Sequence, residues 1–234
     1  MILISVGSSH FTVLDTEGEG TSPTTYSLDE WEGFWEGDFQ EVKIALPAPL
    51  VFTFVKEYPL DRETLKQVID CELEKIVVNR ESAVHVELIP TSPKSTLLLV
   101  TELTSAGEKL LSHVRASKSM VTSRPLALAE ALKGADSLPA LALEVSEEEL
   151  VAVFMNAKGY PLMVCDILQS RESTVNAFAR KLSQLAGKEE GIDVYTSRDN
   201  NTLHKTVGVL SRYVAVDSIR TFDIEGVIKG LMEM

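Results

Sequence analysis

Three short runs carry side chains able to do chemistry. Gly7-Ser8-Ser9-His10 sets hydroxyls beside an imidazole, the pairing from which a nucleophile and its general base are built. Glu147-Glu148-Glu149 sets carboxylates in a row, hard oxygen ligands of the kind magnesium takes. Ser197-Arg198-Asp199-Asn200 gathers a hydroxyl, a guanidinium and an amide just past a strand-like segment. Neighbours on a strand point to opposite faces, so Ser9 and His10 are expected to diverge and the first run to be a plain hairpin turn. His10, His85, His113 and His204 fall in no ligand spacing and have no cysteine nearby, so no metal is expected. No G-x-S-x-G, Walker or metal-protease sequence is present, and no residue is nominated as catalytic.

What must position these runs is a chain of 234 residues, one large domain or two small ones. A chain of that size buries roughly 70–75% of its unfolded surface and needs no disulfide or metal staple. Cys71 and Cys165 lie in apolar-periodic segments and read as small buried hydrophobes in a reducing compartment. The formal charge of −13 argues against nucleic acid and against an anionic lipid surface, both of which call for a positive patch. The charge is uneven: residues 1–50 alone hold nine acids and one base, Lys43. That stretch is either a solvated acidic edge or a docking face for a basic partner. Within it Trp31, Phe34 and Trp35 either cover a small insert or anchor a partner. No apolar run approaches ~18 residues, and the N-terminus reads as a strand rather than a signal peptide.

The periodicities predict strands over Met1–Asp15, broken at Gly7-Ser8-Ser9, and over Glu41–Leu46 and Leu50–Val55. Asp61 caps a helix with Leu65, Val68, Ile69, Leu73 and Ile76 on one face. Strands His85–Ile89 and Thr96–Thr101 precede a helix capped by Ser105 and Glu108, and Arg124-Pro125 opens another through Leu132. Ala140–Val145, Leu150–Met155 and Pro161–Ile167 read as a three-strand meander. A helix ending at Gly187, a strand Ile192–Tyr195, a helix around Leu203–Leu210, an extended piece near Val214–Phe222 and a helix Ile224–Met232 complete the chain. Alternation of strands and helices in both halves gives an α/β class. Ser5-Val6-Gly7…Phe11-Thr12-Val13-Leu14 lines up with Glu144-Val145-Ser146…Leu150-Val151-Ala152-Val153, so each half opens with a related hairpin.

Two hairpin-led α/β halves resemble the actin/Hsp70/hexokinase superfamily, and within it the PilM proteins of type IV pilus machinery and the cytoplasmic part of GspL of type II secretion. The residues that carry the resemblance are KIALPAPLVFTFVKEYPLD (Lys43–Asp61), VIDCELEKIV (Val68–Val77), SRPLALAEAL (Ser123–Leu132) and LALEVSEEELVAVFMNAKGYPLMVCDI (Leu141–Ile167). The resemblance implies a bilobed actin-like (ribonuclease H-like) fold with duplicated lobes: a first from 1–44 plus 121–140, an inserted subdomain over 45–120, and a shortened second lobe over 141–234. It also implies a nucleotide pocket at Ser5, Gly7, Ser8 and Ser9, at Glu144 and Ser146, and at Ser197 and Arg198. There this chain departs from the superfamily: Ser5 and Glu144 stand for hairpin aspartates, Ser146 for a glycine, and Ser197-Arg198 for a Gly-Gly turn. Glutamates facing a polyphosphate at ~4 Å each cost about 1–4 kcal/mol, so ATP with magnesium is not expected as a cofactor and the chain reads as a pseudo-ATPase.

The function so implied is a non-catalytic scaffold at the cytoplasmic face of the inner membrane. It would bind the tail of an assembly-platform protein or the assembly ATPase, with homo-oligomers also in prospect. Membrane association would come only through such partners or a C-terminal anchor beyond residue 234. The partner site falls on the strand carrying Leu50, Val51, Phe52 and Phe54. The competing expectation is a divergent ATP-binding and hydrolysing actin-like protein.

Overall fold

The structure is a computed structural model that describes residues 1–17, 22–37, 39–77, 82–168, 171–186, 191–197 and 200–234. Alternating apolar residues build the opening hairpin, Ile2–Val6 (β1) against His10–Asp15 (β2), to which Thr24–Ser27 (β3) adds antiparallel. A short 3-10 turn (Leu28–Glu30) and Trp31–Phe34 (α1) lead into Phe39–Leu46 (β4), parallel to β1. The chain then leaves this sheet for Val51–Tyr58 (β5), Arg62–Ile76 (α2), Ala83–Ser92 (β6), Ser95–Leu103 (β7) and Ser105–Leu111 (α3). It returns through Ala116–Ser123 (β8), parallel to β4, and turns into Arg124–Lys133 (α4) with Pro125 in the first turn. The second half runs Ala140–Val145 (β9), Glu149–Met155 (β10), Pro161–Leu168 (β11), Glu172–Ala186 (α5), Ile192–Thr196 (β12), Asn201–Leu210 (α6), Val216–Thr221 (β13) and Gly226–Glu233 (α7).

The first sheet has the order β3-β2-β1-β4-β8 and the second β11-β10-β9-β12-β13. These are one topology used twice, antiparallel across the opening meander and parallel beyond it. The equivalence reaches single residues. Ser5 pairs with Thr12 and Glu144 with Val151; Gly7 N–H donates to His10 O at 2.8 Å and Ser146 N–H to Glu149 O at 2.9 Å. The second sheet has a counterpart for every strand of the first. Between β4 and β8 sits a separate sheet of order β5-β7-β6 with α2 on one face. Residues 45 and 120, taken as the insert's limits, both lie inside strands of the first sheet.

The hydrophobic faces stack the molecule in layers. Ile4, Val6, Phe11 and Ile44 pack under Trp31, Trp35 and α3 on the outer side of the first sheet. Leu3, Leu14 and Ala45 on its inner side share a core with α4, α7 and the inner residues of the second sheet, Ala142, Val151 and Val153. Leu143, Ala152 and Val194 on the far side of the second sheet pack under α5 and α6. The helix pair α4–α7 is thus common to both lobes. It packs so closely that a methyl group at Gly230 would run into the Ala127 carbonyl.

Several local expectations need correction. Thr104, not Ser105, caps α3, its hydroxyl accepting from Gly107 N–H at 3.3 Å, because the helix starts one residue earlier than the Ser-Glu spacing suggests. Cys71 is exposed, since α2 buries one stripe only and Cys71 lies off it, while Leu65 is fully buried. Trp31 and Trp35 are 2% and 1% exposed, so they cover the first sheet and are closed to a partner. Strands β3 and β8 were not foreseen, and Gly187 and residues 18–21 lie outside the described residues.

Candidate functional site

The two equivalent hairpins meet. Ser8 N–H donates to a Glu149 carboxylate oxygen, and Ser8 Oγ lies 3.5 Å from Glu148 Oε2. Behind this contact the first residue of α4 lies 3% exposed between the lobes: Arg124 Nη1 donates to Glu149 Oε2 at 2.7 Å. Its other edge forms a fork on Asp166 of β11, Nε to Oδ2 at 3.1 Å and Nη2 to Oδ1 at 2.5 Å. Asp166 also accepts from Ala48 N–H at 3.3 Å, at the entry to the insert. Burial raises the Asp166 carboxyl even against this guanidinium. At Glu149 burial also pushes up, but Arg124 and the Ser8 donors outweigh it and hold the carboxyl below its ordinary value.

On the other side of the cleft, Glu144 Oε1 accepts from Ser197 N–H at 3.1 Å and from the Ser197 hydroxyl, which in turn accepts from Gly226 N–H at 2.5 Å. Burial pushes the Glu144 carboxyl up to about 7 against these donors, and Glu225 nearby adds to the rise. The N–H groups at Ser8, Ser197 and the start of α7 are all committed to internal oxygens. What is left between Ser5, Arg124, Glu144, Ser146 and Glu149 is a cavity of about 130 Å³. Small-molecule pockets usually measure ~300–1,000 Å³.

The structure thus gathers Ser5, Gly7, Ser8, Glu144, Ser146 and Ser197 around one cleft. Ser9 stands at its outer lip, with its Oγ 3.3 Å from His10 Nδ1. The two side chains do not diverge as expected, because Ser9 lies in the turn and not in the strand; both are exposed, and among the described residues no third group hydrogen-bonds the imidazole. Arg198 lies outside the described residues. Sequence reasoning missed Arg124, which looked like an ordinary helix start, and gave Asp166 no role.

The strand nominated for a partner divides by side. Val51 is 4% exposed, packing in the core under Trp31 and bordering the Phe52 groove, and Leu50 packs half-buried against the same core. Phe54 packs on the α2 side of the insert. Phe52, 37% exposed, lines a groove of about 260 Å³ with Thr53, Ser123 and Cys165. A larger groove of about 500 Å³ lies where the insert meets the first lobe. Its walls are Ile89 and Leu99 of the insert sheet, Val121 on the edge strand β8, and Leu126 of α4.

With this geometry in hand the chain can be set beside solved structures. It superposes on a chain of a PilM–PilN type IV pilus biogenesis complex with a TM-score of 0.66, at 11% identity, over 99% of this chain and 96% of the other. The fold is actin-like. A Bacteroides thetaiotaomicron protein described as having an actin-like ATPase fold and unknown function aligns at TM-score 0.58 and 11% identity, over 100% and 95% of the two chains. The cytoplasmic domain of EpsL, an inner membrane component of the type II secretion system of Vibrio cholerae, aligns at 0.55 and 13%, over 99% and 92%. No family model and no curated protein sequence matches the chain. The cleft between the duplicated hairpins gathers the described residues at which the sequence resemblance implied a nucleotide pocket. No described helix is long and apolar enough to cross a membrane.

Proposed function

We propose that this actin-like chain is a non-catalytic scaffold of a type IV pilus or type II secretion assembly platform, working at the cytoplasmic face of the inner membrane. The observation that carries the reading is the hydrogen bond from Ser8 N–H to Glu149: a side chain of the protein sits where an actin-like protein of the resembled kind would present free N–H groups to a phosphate. A cavity of about 130 Å³ behind it supports the same reading. The partner is the tail of a platform protein or a segment of the assembly ATPase, seated in the groove between insert and first lobe. There β8 offers a free sheet edge to which an extended peptide can add its backbone, with apolar pockets beside it.

The test is a calorimetric titration of the full chain with the cytoplasmic segment of the cognate platform protein, repeated with Val121→Asp, a charge on an exposed position of that groove. Binding weakened at least ~10-fold in a folded variant supports the site. Equal affinities remove this groove, and failure of every platform tail and ATPase fragment to bind sinks the scaffold reading. The competing reading, a divergent nucleotide-dependent member, has Gly7-Ser8-Ser9 in its favour and requires the hairpins to part.

A further inference from the structure

Residues 200–216, which hold α6, contain Lys205 and Arg212 and no Asp or Glu, in a chain of formal charge −13. Thr202, Lys205, Thr206, Val209 and Arg212 recur at helical spacing and so share one face. That face borders a groove of about 510 Å³ whose other wall is the start of α5, at Glu172 and Val175. Val175 and Val209 are buried at its floor. Tyr213 OH donates to Asn176 Oδ1 at 3.1 Å and ties the two helices together. Arg171 also borders the groove but is already engaged, whereas among the described residues neither Lys205 nor Arg212 is ion-paired. Gly208 is the second observation. It sits inside α6, where glycine weakens a helix, and it lines the same groove. Among the described residues nothing lies within 4 Å of where its Cβ would stand, so no packing inside the chain calls for it. Close approach of a backbone from another molecule would.

We infer that the α5–α6 groove seats an acidic amphipathic helix of another protein, laid along α6. The stripe from Thr202 to Arg212 runs for ~15 Å, the length of about three helical turns. Both walls are helices whose backbone groups are bonded internally, so the groove offers no sheet edge to an extended peptide and suits a helix. The apolar face of that helix meets Val175 and Val209 and comes closest over Gly208. Carboxylates about two turns apart reach Lys205 and Arg212, which are seven positions and ~10 Å apart. Glu172 on the α5 wall repels acids there and confines them to the α6 side. The groove lies on the far side of the second sheet from α4 and α7, while the tail groove of the proposed function lies on β8 and the insert. Either idea can therefore fail without the other.

The probe is a displayed library of ~14-residue amphipathic peptides, long enough to cover the stripe, with every mixture of Glu, Lys and Gln on the polar face. It is selected on the full chain, and the strongest binders are titrated at 50 mM and 500 mM salt. The expected binders carry Glu at positions seven or eight apart and weaken at high salt, where screening shortens the reach of charge. Lys205→Glu/Arg212→Glu should bind them at least ~10-fold more weakly, and Glu172→Gln more tightly. Gly208→Gln should melt no lower than wild type yet also bind at least ~10-fold more weakly, because its side chain fills the groove. A merely structural glycine would move stability and binding together. Basic or uncharged binders, no binder at all, or binders indifferent to either variant overturn the inference. Self-association in sedimentation that Lys205→Glu/Arg212→Glu abolishes would give the groove to a second copy. Co-sedimentation with phosphatidylglycerol vesicles, abolished by the same change, would give it to a lipid surface. Each of these two results overturns the inference as well.

Discussion

Ser8 of the first hairpin and Glu149 of the second are joined by a hydrogen bond from backbone N–H to carboxylate, although 141 positions separate them in the chain. By the internal repeat Glu149 stands where the first hairpin has His10, so the residue that seals the cleft occupies the turn-closing position of its own hairpin. A sealed cleft predicts that Mg-ATP at millimolar concentration leaves the melting temperature unchanged. A ligand at 100 times its dissociation constant would stabilise by ~2.7 kcal/mol, or roughly 5–10 °C for a chain of this size. A rise of that size, lost in Gly7→Asp, would overturn the pseudo-enzyme reading.

Arg124 is the shared partner of two half-buried or buried carboxylates from different strands. Its replacement in Arg124→Ala leaves Asp166 without its guanidinium and still facing the Glu149 carboxylate, and breaking a buried pair from one side costs about 3–5 kcal/mol. Urea denaturation of wild type, Arg124→Ala, Asp166→Ala and the double variant should give a double-variant loss well short of the sum. Additive losses would show that the guanidinium and Asp166 are not coupled.

How much of this was legible beforehand depends on where the signal lies. The paired hairpins could be read because alternation along a strand and the spacing of a tight turn are local properties, and the repeat at Ser5 and Glu144 proved to be in the same register. Strand β8 could not: Ala-Ser-Lys-Ser-Met-Val-Thr-Ser has the polarity of a loop because an edge strand is solvated along one side, and only pairing with β4 reveals it. That Leu50 and Val51 pack toward the first lobe was not legible either, because a strand entering an insert can turn its apolar face back to the lobe it left. Glu149 is one of three adjacent glutamates, and nothing in the sequence separates it from Glu147 and Glu148. Arg124 reaches its partners across 25 and 42 residues, beyond any local pattern.

Glu144 gives the chain a pH dependence of a particular sign. Unfolded, the carboxyl titrates near 4.5; folded, burial raises it to about 7. Between these values the folded state holds the extra proton, so this group's contribution is full below about pH 4.5 and is lost as pH rises toward 7. Glu144→Gln is neutral throughout. Relative to that variant, wild type should lose on the order of 2 kcal/mol between pH 5 and 7.5 in denaturation experiments. Parallel profiles would show that Glu144 titrates as in the unfolded chain.

Two glycines in helices should respond to alanine with opposite signs. Gly208 on α6 has open space where a methyl group would go, and Gly208→Ala should stabilise by ~0.5–1 kcal/mol through helix propensity. Gly230 on α7 faces the Ala127 backbone, and Gly230→Ala should cost at least ~1–3 kcal/mol, since the neighbour that must yield is main chain. Thermal melting of the two variants checks the pair, and a stabilised Gly230→Ala would mean that α4 and α7 do not pack this closely.

The place of α7 in chain order bears on how the protein is made. Residues 226–233 supply half of the helical layer between the sheets, yet they follow every strand of both. While the ribosome is still adding them, the inner faces around Leu3 and Val151 are covered only by α4. A nascent chain stalled before Gly226 would therefore expose apolar surface on both sides at once, making the interval before α7 is added the time when chaperone capture or aggregation competes most strongly with folding of these two sheets.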